Sequence, residues 1–273
     1  MISALDYFSA LVQQDDDLPL FEAALAIAQD ADPHLDFGAV QETVDSFAAE
    51  VKRRLPSGAS DVQKLRMLNH YFYHELGFAG NVNDYYDPAN SYLQRVIECR
   101  RGIPISLAVI YIEMAQQIDL EIRGVSFPGH FLMKLSVPSG EIILDPFNGA
   151  SLSREELEER LAPYVGDYHQ PDLSLATYLQ TAQPRVILAR MLHNLKALFS
   201  ERGDWERMLE VQQRLVVLLP GDAAERRDRG IAYSHLDCPR EAVEDLQAYL
   251  EEYPDANDAA RLRARVEELR GAG

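Results

Sequence analysis

Three short motifs between Arg101 and Phe147 decide the fold of this chain and its candidate chemistry. Arg101-Gly-Ile-Pro-Ile-Ser106 opens an apolar helix, Phe127-Pro-Gly-His130-Phe131 begins a strand, and Leu144-Asp145-Pro-Phe147 ends another. In chain order they supply a hydroxyl in the first turn of a helix, then a histidine, then a carboxylate. A nucleophile, a base and a group that orients the base are the parts of an acyl-transfer triad. The candidate catalytic residues are therefore Ser106, His130 and Asp145.

The spacing of apolar residues changes between these motifs. Pro104 suits the first turn of a helix that covers about 104–117. The next three apolar runs are short, rich in β-branched or aromatic residues, and separated by turn-forming residues: Ile122–Phe127, Phe131–Val137 and Glu141–Leu144. This pattern predicts consecutive antiparallel strands, the last two forming a hairpin. The hairpin brings His130 and Asp145 toward the same end of adjacent strands.

The first hundred residues have helical periodicity. Helices are expected over Leu18–Ala28 and Asp36–Leu55, and Ser60 with Gln63 forms a capping box for a further helix that Gly77 ends. Asn90 or Ser91 is expected to cap a helix that runs to about Arg100, and a second capping box, Ser153 with Glu156, opens a helix to about Tyr164. We expect acidic N-terminal helices over residues 1–58, which pack on a core of residues 59–165.

The last third of the chain contains an internal repeat. Residues 166–184 have the composition of a linker, and residues 185–273 are predicted to be helical throughout. An offset of 34 residues aligns 194–222 with 228–256 and places Pro220 on Pro254. A 34-residue period of paired helices is the signature of tetratricopeptide repeats. Two repeats are fewer than such an array normally needs, so the tail is expected to lean on flanking helices or on the core.

The charge of the chain is strongly negative and unevenly distributed. The 273 residues carry a net charge of −18, and residues 1–51 hold 11 Asp or Glu with no Lys or Arg. Such a surface repels nucleic acid and anionic membranes, so neither is expected as a partner. The N-terminal residues do not resemble a signal peptide, and no segment approaches the roughly 18–20 apolar residues of a membrane helix. Two distant cysteines, Cys99 and Cys238, fit a reducing cytoplasm.

The chemistry of Ser106 admits two interpretations. A helix dipole contributes about 0.3–1 kcal/mol, which is far too little to activate an alcohol without a base. Ser106 would therefore act only through His130, with Asp145 orienting the ring. Alternatively, the Ser106 hydroxyl satisfies backbone donors of its own helix, His130 is a core histidine, and Asp145 starts a turn. Cys99 is a weaker candidate nucleophile, with a small buried apolar residue as its alternative role.

Cofactor and metal chemistry has little support in the sequence. His70 and His74 have the four-residue spacing of two metal ligands, but the glutamate that metalloproteases carry after the first histidine is missing. The residues between them, Tyr71, Phe72 and Tyr73, favour a packed aromatic helix instead. The sequence also has no glycine-rich phosphate loop or dinucleotide fingerprint. We predict neither a metal site nor a cofactor.

Long motifs give the chain a family resemblance. Asn83–Pro88, Asn90–Leu93, Arg101–Ala108, Phe127–Phe131 and Leu144–Gly149 resemble the bacterial SirB-type family, which joins a transglutaminase-like core to a tetratricopeptide tail. The resemblance implies an α+β fold: a papain-like core with a small antiparallel sheet and N-terminal helices, then an all-α tail. It also implies that Ser106 takes the position of the nucleophilic cysteine, with His130 as the base and Asp145 as the orienting carboxylate. The family is often described as regulatory and typically lacks that cysteine.

Two functions follow as hypotheses. The first is a regulatory protein that binds another protein or peptide through the helical tail and through a cleft in the core, where acidic faces would favour basic segments. The expected binding residues in the cleft are Asn83, Tyr85, Tyr86, Phe127 and Phe131. The alternative is a Ser-His-Asp hydrolase or amidase that acts on a peptide, amide or ester.

Overall fold

The computed structural model describes residues 2–165 and 174–271. Its α-helices, in chain order, are α1 (Ala4–Leu11), α2 (Leu20–Ala26), α3 (Phe37–Arg54), α4 (Asp61–His70), α5 (Leu93–Cys99), α6 (Pro104–Gln117), α7 (Arg154–Val165), α8 (Leu175–Tyr178), α9 (Pro184–Arg202), α10 (Trp205–Leu218), α11 (Ala223–His235), α12 (Pro239–Glu252) and α13 (Ala259–Gly271). Its strands are β1 (Ala79–Gly80), β2 (Arg101–Gly102), β3 (Ile122–Val125), β4 (Leu132–Val137), β5 (Gly140–Leu144) and β6 (Ser151–Leu152).

These elements divide into two units that differ in class. Residues 19–188 form a mixed unit that contains every strand of the described chain, whereas residues 2–18 join residues 189–271 in an all-helical unit. The predicted α+β class with a helical tail is confirmed. The expected segment of residues 1–58 does not coincide with this division, because α1 packs in the helical unit.

The mixed unit contains a four-stranded antiparallel sheet. Its strand order is β3-β4-β5-β6, with Val125 opposite Leu132 and Met133 opposite Leu144. The three predicted strands are confirmed, although β3 ends at Val125 and β4 begins at Leu132. The sheet packs against α7 through a buried cluster: Val125, Phe127, Leu132, Ile143, Leu157 and Leu161. The two-residue strand β6 and the short parallel pair of β1 with β2 were not predicted, since two residues carry no periodicity.

Helix α6 has the predicted bounds and is the buried helix of the mixed unit. Pro104 begins it, and ten of its fourteen residues are buried. A helix that is apolar on all sides belongs in a core. The predicted capping box of Ser60 with Gln63 is also confirmed, and α4 passes into a π-helical turn at Tyr71–Glu75 before Gly77 ends the helix at φ +74°.

Two local expectations are corrected. Neither Asn90 nor Ser91 caps α5, because a 3-10 turn at Pro88–Ser91 comes first and Tyr92 occupies the cap position without a side-chain hydrogen bond. The predicted linker 166–184 is partly structured. Residues 166–173 lie outside the described residues, but Thr181 bridges Val125 of β3 and the Ala182 N–H donates to the Gly124 carbonyl at 2.8 Å.

The helical unit is built from paired helices α9 to α13 with α1 added. Phe8 of α1 is fully buried, and the Arg214 guanidinium of α10 lies 5.7 Å from the centre of its ring. Gly230 allows α11 to approach α12, since a Cβ there would lie 2.9 Å from Leu246 Cγ. Helix α13 covers the last pair through Leu262 and Val266. The unit thus includes a helix beyond each end of the two predicted repeats.

Candidate functional site

His130 and Asp145 meet at one end of the sheet. β4 and β5 are antiparallel, so the start of β4 and the end of β5 lie side by side. His130 Nε2 lies 2.8 Å from Asp145 Oδ1. An ionised carboxylate only accepts, so this bond places a proton on Nε2, and Nδ1 is the acceptor nitrogen of the neutral ring. The structure therefore brings the predicted base and orienting carboxylate together.

Asp145 is a buried carboxylate with three donors. Besides His130, it accepts from the Phe147 N–H at 2.9 Å and from Arg160 Nη1 at 2.8 Å. Burial raises the pKa of Asp145, but the hydrogen bond from His130, the charge of that ring when it is protonated, the Phe147 N–H and Arg160 outweigh burial and lower the pKa to about 2. Asp145 is thus charged at neutral pH. Its bonds hold together the turn before β4 that carries His130, the end of β5 and helix α7.

Two residues of α7 complete the surroundings of this pair, and the sequence analysis did not identify them. Arg160 is the only cation among the acidic residues 155–160, and it lies next to the buried Leu161, which was the available signal. Tyr164, one turn later, covers Gly129, the residue before His130. A Cβ on Gly129 would lie 1.8 Å from the Tyr164 hydroxyl oxygen, and Gly129 has φ +66°. Any other residue here would be strained by the positive φ and would push the exposed end of the Tyr164 side chain aside.

Ser106 is held by the backbone. Its side chain is fully buried, and its hydroxyl donates to the Asn90 carbonyl at 2.6 Å, with the Ile103 carbonyl at 3.0 Å as a second acceptor. The Ile103 N–H donates to Ser106 Oγ at 3.2 Å. Gly102 packs directly on it, because a Cβ there would lie 2.7 Å from Oγ. These contacts match the interpretation in which the hydroxyl satisfies backbone groups at the start of its own helix.

Asn90 connects Ser106 to an exposed loop with two tyrosines, residues 81–87, called here the aromatic loop. The buried Asn90 amide donates to the Asp84 carbonyl at 2.6 Å and to the Tyr85 carbonyl at 3.2 Å, and its Oδ1 accepts from Asn81 Nδ2 at 2.9 Å. The same residue uses its own carbonyl to accept from Ser106. The serine therefore supports the residue that fixes the conformation of the aromatic loop.

The aromatic loop begins beside the histidine–aspartate pair. The Gly80 N–H donates to the Phe147 carbonyl at 2.9 Å, and Phe147 is the residue whose own N–H bonds Asp145. The Phe147 ring covers Gly80, where a Cβ would lie 1.9 Å from the ring. One chain of contacts thus runs from His130 through Asp145 and Phe147 to the start of the aromatic loop.

The five expected binding residues fall into two groups. Asn83, Tyr85 and Tyr86 are exposed in the aromatic loop, and the two tyrosine rings pack edge to face with centroids 5.4 Å apart. Phe127 and Phe131 are buried at 0% and 2% exposure. The expectation that these phenylalanines contact a ligand is corrected, because they flank the Pro128-Gly129 turn with both side chains in the core.

The remaining candidates for chemistry are separate from this arrangement. Cys99, at the end of α5, is exposed, so the expectation of a small buried residue was wrong. His70 and His74 lie on one side of α4 and the π turn, with ring centroids 5.4 Å apart. Within residues 2–165 and 174–271, no group of three or more His, Cys, Asp or Glu is placed to hold a metal ion.

None of the helices in the described segments is both long and apolar enough to cross a membrane.

Comparison with known proteins decides the family. A profile of the transglutaminase-like superfamily matches residues 38–193, more than half of the chain. The chain belongs to this superfamily. A tetratricopeptide-repeat profile matches residues 195–267 of the helical unit. No solved structure was found to match the chain.

The relatives of this transglutaminase-like protein confirm the SirB-type resemblance. A UPF0162 protein of Xylella fastidiosa is 40% identical over 256 residues, which cover 93% of this chain and 91% of the relative. A UPF0162 protein of Pseudomonas aeruginosa is 32% identical, with 92% and 90% of the two chains covered. Protein SirB1 of Salmonella typhimurium is 29% identical over 82% of each chain. The two matched domains suggest a regulatory or interaction role.

Proposed function

We propose that this protein is a regulatory binding protein whose transglutaminase-like core has no acyl-forming nucleophile. The observation that carries the proposal is the position of the Ser106 hydroxyl, which is buried and bonded to the backbone of Asn90 and Ile103. A nucleophile needs a lone pair that reaches the substrate and a base within hydrogen-bond distance. Ser106 instead donates a hydrogen bond to the Asn90 carbonyl, and a carbonyl oxygen cannot act as a general base.

The histidine–aspartate pair is consistent with a structural role. Asp145 bonds the His130 ring, the Phe147 N–H and Arg160, so its charge connects three segments of the core. Removing one partner of a buried charge leaves the other without compensation, which destabilises a fold by about 3–5 kcal/mol. This dependence supplies a reason for the chain to keep His130 and Asp145 without any turnover.

The Ser-His-Asp hydrolase is the second candidate, and one observation favours it. The bond between His130 and Asp145 holds the imidazole in the tautomer that a general base requires. For this function Ser106 would have to leave Asn90 and expose its hydroxyl to the ring. That rearrangement would break the bond from Ser106 to Asn90, the residue whose side chain holds the aromatic loop, so we favour the binding protein.

Two surfaces support binding. The aromatic loop presents Tyr85 and Tyr86 to solvent, and tyrosine supplies a large contact area with little loss of conformational entropy. The helical unit contains tetratricopeptide repeats, whose first helices line a surface suited to a peptide or helix. The partner class is therefore another protein or peptide, with contacts to both units.

Site-specific photo-crosslinking in a bacterial lysate tests the proposal. A photo-reactive phenylalanine is placed in the full chain at Tyr86 of the aromatic loop, at His235 at the end of α11, and at the exposed Arg95 of α5 as the control. We expect a defined protein adduct at Tyr86 or His235 that is missing at Arg95.

Adducts of equal yield at all three positions would contradict the proposal, because they would reflect random encounter. Turnover of an ester or anilide panel by the wild-type chain that Ser106→Ala abolishes would also contradict it and would favour the hydrolase.

A further inference from the structure

A groove between α11 and α13 differs in charge from the rest of this acidic chain. It encloses a cavity of about 280 Å³ whose apolar part comes from Ile231 and Leu262, and whose polar part comes from His235, Arg261, Arg265 and Glu268. Arg265 Nη2 donates to the Ser234 carbonyl at 3.1 Å, which fixes α13 beside α11. These are the first helices of successive pairs, the positions that form the binding face of a helical repeat.

The basic residues of the chain are concentrated in this unit. Residues 189–273 contain 13 of the 26 Lys and Arg together with 17 Asp or Glu, so the basic character of the groove is local to it. Helix α13 carries four arginines against two glutamates. Its Arg261 stands in the first turn, whereas Glu267 and Glu268 stand near its end. Arg270 in the last turn follows the preference of the helix dipole, but Arg261 in the first turn opposes it, so helix stability does not explain the placement of Arg261.

Two of the arginines of α13 are bonded within the protein, whereas Arg261 is available to a ligand. Arg263 bonds the Pro254 carbonyl, and Arg265 is shared between Ser234 and Glu268, whose carboxylate lies 3.1 Å away and is 66% exposed. Arg261 has neither a hydrogen bond nor an ion pair in the described part of the chain. An exposed arginine at the edge of a partly apolar groove is placed to meet a carboxylate in a forked, two-bond geometry.

His235 provides a second polar group with a fixed orientation. Its ring stacks on Trp205 with centroids 3.7 Å apart and planes within 2° of parallel. Stacking holds the ring plane and leaves the two nitrogens at its edge. Arg261 and His235 come from different helices, so one ligand segment can contact both across the groove.

We propose that the α11–α13 groove binds an acidic peptide segment of a partner protein, with a side-chain carboxylate on Arg261 and an apolar side chain against Ile231 and Leu262. The charge balance of the groove favours this occupant over the basic segment that the acidic surface as a whole predicts. The inference rests on the proposed function, since it names the partner chemistry of the helical unit.

The test is fluorescence anisotropy with the full chain and a labelled, amidated ten-residue peptide that carries four glutamates and two leucines. Its glutamine and lysine counterparts are measured beside it. Arg261→Glu is the test variant, and Arg226→Glu is the matched control, because Arg226 is an exposed arginine of α11 outside the groove with the same change of charge. We expect Arg261→Glu to weaken binding of the glutamate peptide on the order of tenfold and Arg226→Glu to change it less than about twofold. Added salt is expected to weaken wild-type binding.

Several results would overturn the inference. They are equal binding of the glutamate and glutamine peptides, an equal loss in both variants, and no binding of the glutamate peptide. Binding only by the same peptide with a free C-terminus would assign the site to a terminal carboxylate instead. A dimer of the chain that Arg261→Glu dissociates would assign the groove to a second copy. Binding of the lysine peptide would contradict the preference of the groove for an acidic peptide but would leave the proposed function intact. Turnover that depends on Ser106 would instead contradict the proposed function itself.

Discussion

Ser106 shows how a residue at a catalytic position can serve the backbone instead. Its hydroxyl bonds Asn90 and Ile103, and Asn90 in turn bonds the carbonyls of Asp84 and Tyr85. The serine is therefore two contacts away from the exposed aromatic loop. Loss of a buried hydrogen bond costs about 1–3 kcal/mol when it leaves a polar group unsatisfied.

Ser106→Ala is expected to lower the free energy of unfolding by about 1–3 kcal/mol, because the Asn90 carbonyl loses its closest donor. Urea denaturation measures the change. The control is Ser46→Ala, which removes an exposed serine that donates to the Thr43 carbonyl at 2.7 Å and should cost less than about 0.5 kcal/mol. Equal small losses in the two variants would contradict the structural role of Ser106.

Asp145 predicts a pH dependence of stability. Its pKa is about 2 in the folded chain against 3.8 for the ordinary carboxyl, so its contribution is present above about pH 4 and disappears as the pH falls to 2. The shift corresponds to about 2 kcal/mol. Asp145→Asn should therefore lose most relative to wild type at pH 5 and progressively less toward pH 2.5, measured by urea denaturation at each pH. A difference that stays constant over this range would contradict the assignment, and Asp16→Asn, at an exposed carboxylate, is the control.

Helix α7 and the Pro128-Gly129 turn form the element that orients His130. Arg160 reaches Asp145, and Tyr164 fills the space above Gly129. The turn therefore depends on glycine for two reasons, a positive φ and the absence of a Cβ. Gly58 offers a direct comparison, since it has φ +74° and no atom within 4 Å of a built Cβ.

Gly129→Ala is expected to destabilise the chain by more than Gly58→Ala, which should cost about 1 kcal/mol from its backbone conformation alone. The excess arises because the new methyl group displaces Tyr164. Thermal unfolding compares the two variants, and in the Tyr164→Ala background the added Gly129→Ala change should cost only as much as Gly58→Ala. Equal losses in both single variants would show that Tyr164 does not pack there.

Element by element, the sequence predicted those structures that carry a clear period or a cap. Helix α6, the strands β3 to β5 and the capping box at Ser60 were predicted because their signals are local. The pair of β1 with β2 and the capping of α5 were not, because they depend on contacts between distant segments. Lys196 is a further case: the 34-residue offset aligns it with Gly230, and its ion pairs with Glu225 and Asp228 at 2.7 Å are visible only in the fold.

At the scale of the whole molecule, the two ends of the chain belong to one unit, because α1 packs against α10. Phe8 of α1 is fully buried beside Arg214 of α10, whereas Phe21 of α2 is buried in the mixed unit. This division could not be predicted from the sequence, since α1 and α2 are similar short helices in one acidic region. Within the candidate site, the predicted hairpin indicated that His130 and Asp145 lie at the same end of adjacent strands, but the register that brings them into contact and the positions of Arg160 and Tyr164 depend on the packing of the fold.

Phe8→Ala and Phe21→Ala should therefore destabilise different units. Each removes a buried aromatic ring, a change that costs about 3–5 kcal/mol. Hydrogen exchange with mass spectrometry should show lost protection in α10 for Phe8→Ala and in α6 for Phe21→Ala. Lost protection in α6 for Phe8→Ala, with α10 unaffected, would contradict the placement of α1 in the helical unit.

The most direct test of the central claim is intact-mass labelling of the wild-type chain and of His130→Ala with a fluorophosphonate, and separately with a thiol alkylator. A buried Ser106 held by Asn90 predicts no fluorophosphonate adduct at Ser106 in either protein, with any thiol adduct confined to cysteine and independent of His130. A Ser106 adduct that forms in the wild type and disappears in His130→Ala would contradict the account, because it would show an activated Ser-His-Asp triad.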